Sequence, residues 1–199
     1  RLRTLTGPMQ FSFTYPMAGG DHDPALATRD GMRSVLEAAE TAGFSAVGFT
    51  DHPIPSRRWL EAGGHNALDP FAALAFCAAV TEQIRLMTNV AVVPYRNPFL
   101  LAKMVATVDV LSDGRTILGA GTGYLRAEYR ALGVEFDERN ELFDEALDTI
   151  LAVWSGDEVT FEGRHFMASS NQAHPEPVQQ PHPPIWIGGN SGRARQRVA

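Results

Sequence analysis

Three short stretches carry residue types able to do chemistry: Asp51-His52, Gly121-Thr122-Gly123-Tyr124 and Gly188-Gly189-Asn190-Ser191. An imidazole ordinarily titrates near neutral pH, so His52 suits proton transfer to or from a substrate, with Asp51 as the neighbouring carboxylate that orients it. The same pair also suits a turn cap beside a surface imidazole, and the two residues alone leave both open. Glycines let backbone N–H groups approach an anion, and a following helix start adds its dipole and hydroxyl donors. Gly188 to Ser191 therefore suits a phosphate, with Gly121 to Gly123 a weaker case. A tight strand-to-helix turn capped by Asn190 or Ser191 would use the same residues. Tyr15, Trp59 and Tyr124 stand where aromatic walls suit a flat ring, although single aromatics also pack cores.

What must position these residues is a series of buried strands. Phe11 to Tyr15 alternates with period two and predicts the first. Helical spacing from Pro24 to Ala42 stops at Gly43, and a second strand around Val47 and Phe49 opens at Asp51-His52. The irregular Pro53 to Leu68 segment follows that strand, where a lid would attach. Asp69-Pro70 starts a helix over Phe71 to Thr81, and Ile84 to Val93 is the third strand. Asn97-Pro98 caps a helix from Phe99 to Leu111, with Leu100, Leu101, Met104, Val105 and Val108 as its apolar face. Thr116 to Gly121 is the fourth strand, with a short helix near Glu128 beyond it. A longer helix from Glu138 to Trp154 turns Leu142, Ala146, Leu147, Ile150, Leu151 and Trp154 inward. Val159 to Phe161 and His165 to Met167 form a hairpin, Ile185 to Gly188 the fifth strand, and a helix begins at Gly192.

Strands and helices alternate, and the strands are near-continuous apolar runs, the pattern of a parallel sheet covered on both faces. The fold class is α/β. A doubly wound sheet and a (β/α)8 barrel both fit, and five strands in 199 residues with a helix just starting favour an incomplete N-terminal portion of a barrel. In either fold ligands sit at the carboxyl ends of the strands, where Asp51-His52 and both glycine stretches fall.

A net charge of −6 and a pI near 5.5 argue against nucleic acid or an anionic membrane as partner and favour a small-molecule substrate. Cys77 is the single cysteine, which excludes an internal disulfide and a multi-cysteine metal site and suits a cytoplasmic location. No metal is expected, because His22, His65, His165, His174 and His182 fall in loops rather than at strand ends. GxxxxGK[ST], GxGxxG after the first strand and GxSxG are all missing, against a nucleotide triphosphatase, a nicotinamide Rossmann domain and an α/β-hydrolase.

Taken together, Phe49-Thr50-Asp51-His52, Thr88-Asn89-Val90 with Pro94-Tyr95-Arg96-Asn97-Pro98, Ser112 to Arg115 through Gly121-Thr122-Gly123, and Pro184 to Ser191 resemble the bacterial-luciferase-like superfamily. The branch using the deazaflavin coenzyme F420 is the most similar. The resemblance implies a (β/α)8 barrel of roughly 280 to 350 residues, of which this single domain would be the N-terminal part. It implies that His52 and Asp51 line the pocket beside the deazaflavin, and that Asn89-Val90 is a non-prolyl cis peptide making a bulge behind the ring. It further implies that Gly188 to Ser191 hold the coenzyme's phosphate and that the full-length protein is a homodimer. Relatives that oxidise a sugar phosphate carry a catalytic glutamate directly after the Gly-Thr-Gly; Tyr124 stands there instead, which argues against that substrate. The expected activity is hydride transfer between F420 and a small organic substrate. The alternatives are a monooxygenase using reduced FMN and oxygen, and a non-catalytic ligand-binding barrel.

Overall fold

The computed structural model describes residues 9–17, 23–156 and 158–198. Thr28 opens the first long helix, α1 (Arg29–Thr41): its hydroxyl accepts from the Gly31 amide at 3.1 Å, and Met32, Leu36 and Ala39 form the buried stripe. Gly43 ends it at φ +80°, a left-handed conformation that costs other residues more. The chain then enters β2 (Ala46–Phe49), buried at all four positions, which lies parallel to β1 (Ser12–Thr14). Burial on both faces explains why the strand is an unbroken apolar run.

The segment after β2 is not wholly irregular. Ser56 caps a short helix, α2 (Arg57–Glu61), that carries Trp59. Asp69 accepts from the Ala72 amide at 2.9 Å and begins α3 (Pro70–Val80), which leads to β3 (Arg85–Thr88). The third strand is not continuous either. The Asn89–Val90 peptide is cis, as the resemblance implied, and the strand resumes as β4 (Ala91–Val92). Neighbouring glycines make room for this break. A Cβ on Gly119 would stand 1.9 Å from the Thr88 carbonyl oxygen, and one on Gly121 would stand 2.7 Å from Val90 Cγ2. Only backbone fits beside the bulge.

Helix α4 (Pro98–Leu111) leads to β5 (Thr116–Gly121), which pairs in parallel with β3, with β4 and with β8 (Ile185–Ile187). Counting β3 and β4 as one interrupted strand, these are the five barrel strands expected, in the order β1-β2-β3/β4-β5-β8. Between β5 and β8 lie α5 (Arg126–Ala131), α6 (Arg139–Trp154) and an antiparallel hairpin of β6 (Val159–Glu162) and β7 (Met167–Asn171). The second hairpin strand begins at Met167 rather than His165. A last helix, α7 (Gly192–Gln196), follows β8. His22 lies outside the described residues.

Two helix faces differ from the expectation. On α6 the buried stripe is Phe143, Ala146, Ile150 and Val153, while Leu151 is exposed. On α4, Leu101, Val105 and Val108 are buried, but Leu100 is 62% exposed and Met104 partly so. Both helices are apolar over more than the width of one face, so the sequence leaves their rotation about the axis loosely specified and packing selects it. One core gathers α1, α3, β2 and β3; the other gathers α4, α6, β5 and the hairpin. No helix among the described residues is long and apolar enough to cross a membrane.

Candidate active site

Because the barrel strands run parallel, the residues just past β2, β3, β5 and β8 meet at one rim. They line a cavity of about 510 Å³ bordered by Asp51, His52, His65, Val90, Tyr124 and the backbone of Gly121, Gly188 and Gly189. Asn89, Thr122 and Gly123 border it too. Asn89 is anchored by its side-chain amide, which donates to Thr14 Oγ1 at 2.7 Å.

His52 is enclosed by aromatic rings. Trp59 of α2 lies 4.6 Å away between centroids, His65 5.0 Å and Tyr124 6.2 Å. His65, expected in a loop rather than at a strand end, is therefore part of the site. The short helix α2 and its following turn fold back over His52. Gly64 permits this return, since a Cβ there would stand 2.3 Å from the Trp59 ring.

The carboxylate beside His52 is not the one next to it in sequence. Asp51 is 3% exposed, and its oxygens accept from Arg96 at 2.6 and 3.0 Å and from the Val92 amide at 2.8 Å. Burial opposes the Arg96 charge, but its bonds to Asp51 and the negative charges of Asp51 and Asp69 hold its pKa above the ordinary value. Asp51 thus ties the end of β2 to the segment after β4. The partner of His52 Nδ1 is Glu128 Oε2 at 3.3 Å, from the first turn of α5. Glu128 is fully buried and also accepts from the Tyr95 hydroxyl at 3.0 Å and the Ile54 amide at 3.3 Å. Burial, then the Glu128 charge, pushes the Tyr95 phenol well above its ordinary value, and the same two causes raise Tyr124, so both stay protonated donors.

Sequence reasoning found Glu128 without a role for it. The signal was an acid three residues past a strand-end loop, inside a short helix, and nothing local connects it to a histidine 76 positions earlier.

Other candidates separate. Tyr15 does not reach the cavity: it is 4% exposed, stacks on Phe49 at 5.0 Å and donates to the Leu26 carbonyl at 2.7 Å. Burial, with a smaller contribution from Cys77, raises its pKa to about 12. As the residue closing β1, it turns inward to the core instead of toward the rim. Gly188 and Gly189 border the cavity, whereas Ser191 caps α7, its hydroxyl accepting from the Ala194 amide at 3.1 Å, and Asn190 is exposed beside it.

The rim, the bulge and the imidazole set the site in a known context. Residues 9–199 match the family model described as luciferase-like monooxygenase. The chain belongs to the luciferase-like monooxygenase family. This luciferase-like chain is 37% identical over 167 residues to the F420-dependent glucose-6-phosphate dehydrogenase of Microbacterium testaceum, covering 81% of this chain and 47% of the relative. It is 27% identical over 205 residues to the FMNH2-dependent dimethylsulfone monooxygenase of Pseudomonas putida, covering 98% of this chain and 54% of the relative. Among solved structures, the monooxygenase RslO1 from Streptomyces bottropensis superposes with a TM-score of 0.79 at 29% identity, over 90% of this chain and 53% of that one. The chain spans about half the length of the curated relatives it matches. Members of the luciferase-like family are oxidoreductases, and these relatives include F420- and FMN-dependent ones.

Proposed function

We propose that the protein containing this chain is an oxidoreductase that moves a hydride between coenzyme F420 and a small organic substrate, and that residues 1–199 are the N-terminal, five-strand portion of its (β/α)8 barrel domain. The observation carrying this proposal is an imidazole, backed by a buried carboxylate, at a cavity that has Val90 and glycine backbone as another part of its wall. That wall fits a planar ring. Gly121 and Gly188 add no side chain beside Val90, where a Cβ on either would crowd its methyls, and Gly188 and Gly189 present amide backbone at the cavity edge for a phosphate.

When bound, the deazaflavin would donate or accept the hydride. Val90, Gly121, Gly123 and Gly188 would hold its ring, and the Gly188 to Ser191 turn its phosphate. His52 would then give or take the proton at the substrate heteroatom that changes bonding as the hydride moves. Trp59, His65 and Tyr124 would pack the substrate against His52 and exclude water. Asp51 would keep the end of β2 in place through Arg96. Tyr124 at the rim, and a described cavity lining free of lysine and arginine, favour a substrate other than a sugar phosphate.

The 27% identity to an FMNH2-dependent monooxygenase across nearly the whole chain supports a second reading, reduced FMN with oxygen. Titrating the full-length protein with F420 and with FMN separates them. Quenching of F420 fluorescence at micromolar protein is expected; micromolar FMN binding with no F420 binding would overturn the first proposal.

A further inference from the structure

Glu128 is a buried carboxylate with no lysine or arginine bonded to it among the described residues. Removing a carboxylate from water costs several kcal/mol. Asp51 meets that cost with a bidentate arginine, whereas Glu128 meets it with one imidazole, one phenol and one amide. A fully buried acid so placed contributes little to stability over an apolar residue of its size, which points to a role in the site.

The directions of its hydrogen bonds define that role. The Ile54 amide can only donate, and the Tyr95 phenol, kept protonated beside the Glu128 charge, donates as well. A carboxylate accepts at both oxygens, so the remaining contact, to His52 Nδ1, requires the proton to be on the nitrogen. Among the described residues no other acceptor bonds Nδ1: Asp51 is occupied by Arg96 and the Val92 amide, and His65 Nδ1 pairs with the Asn66 carbonyl. Trp59 and Tyr124 meet the imidazole as rings. Nε2 has no protein partner among the described residues.

Resting on His52 as the acid or base of the site, we infer that Glu128 is a positioning residue that holds the imidazole with its proton on Nδ1 and leaves Nε2 as the nitrogen that exchanges a proton with substrate. Tyr95 donates to the same oxygen, Oε2, and the Ile54 amide to Oε1, so the network fixes both the ring's orientation and its tautomer. A carboxylate in this relation to a catalytic imidazole acts by keeping the correct nitrogen basic and is not itself protonated.

The test is a long-range ¹H–¹⁵N correlation spectrum of the full-length, ¹⁵N-histidine-labelled protein at a pH where His52 is neutral, with His52→Ala to identify the signal. The expected wild-type pattern is the Nδ1–H tautomer. Glu128→Gln, which can offer an N–H to the ring, should shift the population toward Nε2–H and lower kcat about 100-fold, with KM changed less than threefold. Tyr95→Phe should retain Nδ1–H and lose less than tenfold in kcat. A wild-type Nε2–H pattern overturns the inference, and so does an unchanged tautomer in Glu128→Gln, whatever that variant's activity. Should Glu128→Gln fail to fold, the wild-type tautomer decides alone. Because the spectrum needs no cofactor, failure to bind F420 or FMN would count against the proposed function and leave this test standing.

Discussion

Replacing Arg96 by methionine would strand the Asp51 carboxylate, 3% exposed, with the Val92 amide as its remaining donor. Breaking a buried ion pair in this way costs about 3–5 kcal/mol. The Arg96 side chain keeps 15% of its exposure, which moves the pair toward the lower figure. Loss of the guanidinium from the Phe71 ring, 5.3 Å away, adds about 0.5–1 kcal/mol, and the half-exposed Asp69 contact adds little. Arg96→Met should therefore cost about 4 kcal/mol. Asp51→Asn retains an acceptor for the Val92 amide and removes the charge, for about 2 kcal/mol. The double variant leaves no unpaired buried charge, so its loss should fall short of the sum by about 2 kcal/mol. Urea unfolding of the four full-length proteins, compared at constant m-value, measures this coupling. Additivity within 0.5 kcal/mol would refute the pairing as the reason for Asp51. If Asp51 works by holding the end of β2, the folded double variant keeps its turnover within about tenfold. A loss of 10² or more with the fold intact would return Asp51 to proton transfer.

Gly119→Ala should destabilise the protein by about 3 kcal/mol or more, because the new Cβ would stand 1.9 Å from the Thr88 carbonyl oxygen, a backbone atom unable to yield without separating β3 from β5. A drop in thermal midpoint smaller than that of a buried alanine-to-glycine control elsewhere in the sheet would contradict it. Burial opposes the charge of Glu40, but donation from the Ile84, Gln83 and Glu82 amides outweighs it and lowers the pKa below the ordinary value. A depressed folded-state pKa gives stability that is complete above the unfolded value, about 4.3, and is lost as pH falls through the lower folded value. Glu40→Gln should thus cost about 2 kcal/mol at pH 7, with the gap to wild type closing below about pH 4. A gap that stays constant from pH 7 to pH 3 would show that charge is not the cause.

Much of the scaffold is written locally. Thr28, Ser56 and Asp69 each accept from the amide three residues ahead, and Gly43 takes the left-handed stop, all interactions within one turn of chain. The unbroken apolar runs of β2 and β5 announce strands covered on both faces, and parallel strands bring their following loops to one rim. His52, Gly121, Tyr124 and Gly188 were therefore placed together by the order of elements alone.

Tertiary packing decided what depended on partners far along the chain. Asp51 and His52 are neighbours in sequence, but successive residues point to different sides, so one meets Arg96 and the other meets Glu128. Tyr15 closes a strand as the rim residues do, yet the space over Phe49 and the free Leu26 carbonyl draw it into the core. Leu100 and Leu151 are as apolar as the residues beside them, and contact between α4 and α6 settled which of them were covered. Residue type and spacing determine which groups can reach the rim of this barrel. Which carboxylate holds the imidazole was decided by the three-dimensional meeting of β2, the segment after β4, and α5, since burial makes an unpaired charge too costly and leaves each acid the donors within its reach.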